Sequence, residues 1–303
     1  MEHEPVNNNY ITMNSNSNEE HRRYLETIHQ KWEDATIAND YIFYRLVRGN
    51  KEICLGILRL LLPELEIEDI EFLDEQYVID ESVDTRGVRL DAFAGDRTRV
   101  YDIEMQATNV DNLRKRSRYN QSMIDSELLK RGEHFRELKE SYVIFINTFD
   151  LFGKGLWRYT FENICREKTD LSLDDKAYKI FINARGAKDM LDDRQRAFLN
   201  LLLDINPKIS YEDRLIDDII KTVEEIKQTA SERNSFMTLE MKMKEVEYHA
   251  RELAFSEGRI EGKAEGESLI VSVVQRLRKG ESRENIIASG VDEQTVLLAE
   301  TIK

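Results

Sequence analysis

Apolar positions along this chain recur with two spacings, and the switches between them mark the elements. Leu25, Ile28 and Trp32 stand at helical spacing, which predicts a helix from about Glu26 to Arg48. A second helix is expected over about Lys51 to Leu62. There Ile53, Cys54, Ile57, Leu58, Leu60 and Leu61 leave little polar circumference, as in a core helix, and Pro63 ends it. Strand-like spacing then takes over, irregular from Ile70 to Ile79 and clearer over Val88 to Ala94 and Val100 to Gln106. The polar turn Gly95-Asp96-Arg97-Thr98 makes the last two a hairpin. A charged helix follows from about Val110 to Arg131, closed by Gly132. Tyr142 to Asn147, short and rich in β-branched residues, reads as a buried strand. Trp157 to Glu162 and Ala177 to Asn183 are further strands.

From Asp189 onward the spacing is helical, over Ala197 to Leu203, Arg214 to Thr229 and a long charged stretch from Phe236 to Ala254. The Glu-Gly pairs at 257–258, 261–262 and 265–266 repeat every four residues; in so polar a setting they predict a flexible or frayed helical connector. Ser268 to Lys303 holds two apolar helical patterns around Gly280 and a third from Asp292. That segment reads as an oligomerisation module or a degenerate helix-turn-helix. The expected organisation is a disordered polar tail over 1–25, an α/β domain over 26–230, a charged helix and connector over 231–267 and a small helical module over 268–303.

Length and composition agree with this division. The chain has 303 residues, 41% of them hydrophobic and 34% charged, enough for one sizeable core with an appendage. The first twenty residues lack the apolar segment of a secretion signal, and the stretch Ile53 to Leu62 is too short to span a bilayer. Two cysteines, Cys54 and Cys165, make neither a disulfide framework nor a zinc knuckle, which fits a reducing cytoplasm. The net charge of −15 argues against non-specific adhesion to nucleic acid. A nucleic-acid enzyme needs only a local basic surface, and a bound divalent cation reverses the sign at its site.

The candidate chemistry lies in the hairpin. Alternation sets Asp91 opposite in direction to Leu90 and Ala92, and it sets Asp102, Glu104 and Gln106 on one face of the next strand. If the strands pair, Asp91 and Glu104 approach on a common face. Two converging carboxylates repel, and a divalent cation resolves the conflict, since Mg2+ takes one or two carboxylates together with water and phosphate oxygens. Gln106 can orient a water but cannot remove its proton. Outward acids on a solvated sheet face are the ordinary alternative. Against it stand the poor strand propensity of acids and the basic helix directly behind. That helix carries Arg114, Lys115, Arg116, Arg118 and Tyr119; Arg114 and Arg118 are one turn apart and can share a phosphate-facing surface, although a plain solvated face would look similar. The five histidines are scattered, and no glycine-rich phosphate loop or nucleophile elbow is present.

The run from Asp91 to Gln106 resembles the signature of the Rpn family of recombination-promoting nucleases, also described as PD-(D/E)XK nuclease family transposases. The likeness continues through Arg116-Ser117-Arg118-Tyr119, Ile124-Asp125, Leu128 to Gly132 and Tyr142 to Ile146, with Asn39-Asp40-Tyr41-Ile42-Phe43 similar to the opening motif. It spans roughly residues 35 to 230, and the Glu-Gly repeat is similar to tails of that family. The resemblance implies a restriction-endonuclease-like αβββαβ core with a helical C-terminal extension, and Mg2+-dependent DNA cleavage, with Mn2+ as a substitute ion. Asp91 and Glu104 would hold the metal. Gln106 stands where the wider superfamily has lysine, and Glu52 is a further candidate for the helical acid. Asn120 replaces a tyrosine frequent in the family. An endonuclease acting on DNA in recombination or transposition is therefore expected, with a catalytically silent DNA-binding or assembly protein as the alternative. The C-terminal helices are expected to form a homo-oligomer, with no membrane association.

Overall fold

The computed structural model describes residues 8–48, 50–75, 78–79, 88–89, 92–109, 112–205 and 213–302, in two compact units, Met1–Met237 and Thr238–Lys303. In the first unit, helix α1 (Asn8–Asp34) rests on side-chain pairing before it rests on burial. Arg22 pairs with Glu19 and Glu26, and Arg23 with Glu19, all on exposed turns. Such pairs add about 0.3–0.5 kcal/mol each, and Ile28 and Trp32 then enter the core. The segment 1–25, expected to lack structure, is thus helical from Asn8. The single helix expected from Glu26 to Arg48 is two, because Asn39 caps a new one: its side chain accepts from the Ile42 N–H at 3.2 Å and opens α2 (Asp40–Val47). Asn50 does the same for α3 (Lys51–Leu61), accepting from the Ile53 N–H at 3.3 Å.

The strands are β1 (Phe72–Glu75), β2 (Val78–Ile79), β3 (Val88–Arg89), β4 (Ala92–Gly95), β5 (Arg99–Gln106), β6 (Glu140–Asn147), β7 (Arg158–Phe161) and β8 (Ala177–Asn183). Six make one sheet in the order β1-β4-β5-β6-β8-β7, while β2 and β3 pair apart. The strand expected over Val88 to Ala94 is therefore divided between two sheets, with residues 90–91 outside those described. The β4–β5 hairpin is antiparallel as expected, and its turn is fixed by Asp96, which accepts from the Thr98 and Arg99 N–H groups at 2.7 and 2.8 Å. Strands β5, β6 and β8 run parallel. Helix α4 (Leu113–Leu128) makes the crossover from β5 to β6.

Alternation gives the sheet two different faces. Tyr101, Ile103 and Met105 of β5, with Ile144, Ile146, Ile180 and Ile182, pack against α2, α3, α5 (Asp193–Leu201) and α6 (Arg214–Gln228) in the larger core. Val100, Val143, Phe145 and Phe181 pack on the other side with Leu113 and Ile124 of α4. The order helix, three strands, helix, strand expected of a restriction-endonuclease-like core is present as α3, β1, β4, β5, α4 and β6. Helix α7 (Ala230–Arg278) begins in this unit, where Phe236 meets Trp32 and Tyr41, and where Tyr41 donates to Glu232 at 2.9 Å.

In the second unit α7 runs unbroken through Gly258, Gly262 and Gly266, where a frayed connector was expected. Glycine costs a helix about 1 kcal/mol per residue. Spread over 49 residues, with Arg251–Glu247 and Lys263–Glu267 pairs to either side, that cost does not open it. Gly280 and Gly290, at φ of +89° and +97°, end α7 and α8 (Arg283–Ala288), and Asp292 accepts from the Thr295 N–H to start α9 (Glu293–Ile302). Val273, Val274, Leu277, Ile286, Val296 and Ala299 form a small core among these three helices.

Candidate active site

The period-two alternation that sends Ile103 into the large core sends Asp102 and Glu104 to the α4 side, where both are completely buried. Burying two carboxylates is costly unless donors meet them. The donors come from one face of α4. The Asn120 amide donates to Asp102 at 3.0 Å and to Glu104 at 3.3 Å, and Arg116 closes an ion pair on Glu104. The Arg116 guanidinium also stacks toward Phe145, 5.6 Å from the ring centroid. Next to Asn120 on the helix, Gln121 donates to Ser141 on β6, and Asp125, one turn further on, has its carboxyl pushed up by burial, against a lowering hydrogen bond from Gln121. Leu113, Ser117, Asn120, Gln121 and Ile124 thus make the inner side of α4.

The outer side carries the remaining cations. Lys115, Arg118 and Tyr119 are exposed. Arg114 is exposed as well, but tethered: it donates to the Leu151 carbonyl at 3.1 Å and lies 4.9 Å over the Phe152 ring. The loop it touches is organised by Asp150, which accepts from the N–H groups of Phe152, Gly153 and Gly155 and from the Tyr159 hydroxyl. Of the five residues expected to face nucleic acid, Arg116 is the one turned inward. Helical phase accounts for this, since it sits one turn before Asn120.

Gln106 ends β5 on the carboxylate face, half-buried, and donates to its neighbour's carbonyl, that of Met105. Its partner in the parallel register is Asn147, whose partner in turn is Asn183. Three amides therefore stand in a row at the ends of β5, β6 and β8. Asn147 is buried, and its amide donates to the Ile182 carbonyl at 3.1 Å, while its side-chain oxygen has no hydrogen-bond partner among the described residues. This row was not anticipated. Its signal is the tetrad Ile-Phe-Ile-Asn, which occurs at 144–147 and again at 180–183.

Glu52 is not brought to this face. It is exposed on α3, in the layer that covers the other side of the sheet, and lines a groove of about 510 Å3 between α3 and α6 with Arg59, Leu215 and Lys221. Asp91 lies outside the described residues; the last described pair toward it is Ala92 with Ile103. Among the described residues no group of three or more His, Cys, Asp or Glu side chains gathers as a metal site. The groups on the carboxylate face are nonetheless oxygen donors: Glu104, the Gln106 amide and the unpartnered Asn147 oxygen. Such donors suit a hard divalent cation rather than zinc or copper.

The family described as PD-(D/E)XK nuclease family transposase matches residues 37–252, which takes in α2, the sheet, both buried carboxylates and α4. No curated protein and no solved structure matches the chain. A nuclease- or transposase-related activity on DNA goes with that family, whose nucleases generally use divalent metal ions. Among the described residues no helix is long and apolar enough to cross a membrane. By a match over more than two thirds of its length, the chain belongs to the PD-(D/E)XK nuclease family transposases.

Proposed function

We propose that this protein is a metal-dependent DNA endonuclease that hydrolyses phosphodiester bonds in recombination or transposition. One observation carries the reading above others: Glu104 is fully buried on a sheet face, beside Asp102, beneath a helix whose outer surface is cationic. A fold that needed only stability gains little from two buried acids, since apolar residues of like size are as stable or more so.

In this proposal Asp91 and Glu104 hold the ion. Asp91 directly precedes Ala92, and Ile103, the partner of Ala92, directly precedes Glu104. A divalent ion of the Mg2+ type, with Mn2+ as substitute, supplies charge neutralisation at the scissile phosphate and a more acidic water. Gln106 orients the attacking water through its amide, and as an amide it takes no proton. Arg114, Lys115 and Arg118, with Tyr119, meet the DNA backbone, and Arg116 balances the charge of Glu104. Glu52, being on the other layer, takes no part.

The deciding experiment is nicking of supercoiled plasmid with Mg2+ or Mn2+ by the wild type, Asp91→Ala and Glu104→Ala. Cutting that depends on the ion and disappears in both variants supports the proposal. Cutting that survives in both refutes the site.

The ion pair between Arg116 and Glu104 favours a second reading, a catalytically silent DNA-binding or assembly protein whose arginine stands permanently where an ion would be. Thermal stability separates the two. Mg2+ that binds the folded state raises the melting temperature by mass action. An unshifted wild type that still binds DNA would favour the silent protein.

A further inference from the structure

The second unit presents a surface that the nuclease reading does not use. Along α7, Leu239, Val246, Leu253 and Ile260 recur every seven residues, and Val246, Leu253 and Ile260 are 68%, 62% and 66% exposed. Met243, Ala250, Ala264 and Val271 occupy the alternate places, so that apolar residues follow steps of three and four, broken at Glu257 and Glu267. From Leu239 to Val271 this is a stripe of about 48 Å at 1.5 Å per residue. A repeat of seven drifts about 20° per heptad on a straight helix, so it stays on one side only if two helices wind round each other left-handedly. An apolar repeat held over about four heptads with charged flanks is the mark of a coiled coil rather than of a helix lying on a globular core.

The flanks identify the partner. One edge of the stripe carries Glu240, Glu247 and Glu261, and the other carries Lys242, His249 and Lys263. In a parallel pair of identical helices, each edge faces the opposite edge of the other copy, five residues on, which sets Lys242 of one copy against Glu247 of the other. In an antiparallel pair like edges meet, acid on acid and base on base. Glu247 also pairs with Arg251 on its own helix, but both are well exposed and such a pair is weak. Gly258, Gly262 and Gly266 fall away from the stripe, where an added Cβ meets nothing within 4 Å. Met241, Tyr248 and Phe255 also lie opposite it, but in single file between Lys244 and Arg251 on one side and Glu245 and Glu252 on the other. That line lacks the second apolar row a seam requires.

We propose that α7 from Leu239 to Val271 joins the same stretch of a second copy of this chain as a parallel two-stranded coiled coil. Glu257 and Glu267 interrupt the seam, so each faces its own copy; polar residues inside a seam weaken it while fixing register.

Light scattering on the full chain tests this. The wild type should have twice the mass of one chain and Val246→Glu/Leu253→Glu half of that, while Phe255→Glu stays double. Glu257→Leu should lower the dissociation constant at least tenfold. Orientation is read independently of those variants, in a Cys165→Ser background: Val246→Cys and Ile260→Cys should each form a disulfide between copies under mild oxidation. A monomeric or trimeric wild type, a double variant of unchanged mass, or crosslinking at only one of the two positions would overturn the proposal.

Discussion

Arg116 on α4 closes an ion pair with Glu104 on β5, and the two partners live in different media: the carboxylate has no solvent exposure, the arginine side chain about 39%. A guanidinium is well suited to this. It remains charged, meets a carboxylate in a planar fork and can stack on Phe145. The pair therefore neutralises an acid that the fold buries while leaving its counter-charge reachable from solvent.

Glu104→Gln keeps the shape of the side chain and removes its charge. Plasmid nicking should fall by at least a hundredfold, about 2.7 kcal/mol in barrier, with an unchanged circular dichroism spectrum. Cutting within tenfold of the wild type would remove Glu104 from the chemistry.

Arg116→Gln leaves Glu104 buried without its counter-charge. Removing one partner of a fully buried pair costs about 3–5 kcal/mol; with Arg116 partly in water, about 2 kcal/mol is expected in a urea titration. Mg2+ should then raise the melting temperature of this variant more than that of the wild type, because the ion no longer competes with the arginine. Equal shifts would mean that ion and arginine do not share Glu104.

Lys115→Glu/Arg118→Glu alters the outer side of α4 and nothing beneath it. DNA affinity should weaken for all sequences alike, and the slope of log affinity against log salt should flatten by about 2. An unchanged slope would place the DNA elsewhere on the molecule.

Asp150 gives the chain a predictable acid limb. Burial tends to raise its pKa, but donors from Gly155, Tyr159, Phe152 and Gly153 outweigh it and hold the carboxyl below the usual range. A folded pKa below the unfolded one contributes stability that is complete above the ordinary aspartate range and is lost as pH falls through the depressed value. In Asp150→Asn the urea midpoint should change less between pH 5 and pH 2 than in the wild type. Parallel profiles would show that the loop is held by other contacts.

Much of this was legible in the sequence, and the rest was not for identifiable reasons. Alternation in Tyr101 to Gln106, with a polar turn before it, was enough to set the hairpin and the common face of Asp102 and Glu104. Helical periodicity located α4, and its phase separates Arg116 from Lys115 and Arg118. The break at Asn39 was hidden because apolar spacing continues across it, and only the cap on Ile42 reveals a new helix. The part of α1 before Glu26 is invisible to burial alone, because pairs such as Arg22–Glu26 rather than apolar contacts hold it. Spacing placed Glu52 on a helix but could not say which side of the sheet that helix would cover. The two hydrogen bonds from Asn120 to Asp102 and Glu104 depend on how α4 crosses β5, which is tertiary information.

The burial of α3 also shapes the thiol chemistry of the chain. Cys54 has no exposure, and burial pushes its thiol up to about 12, so at neutral pH almost none of it is the reactive thiolate. Cys165 is only partly covered. An alkylating reagent should therefore count one sulfur on the native chain and two once α3 leaves the sheet. The protein thus contains its own optical and mass-spectrometric gauge of unfolding, and a cysteine introduced on α7 after removal of Cys165 has no native competitor for the label.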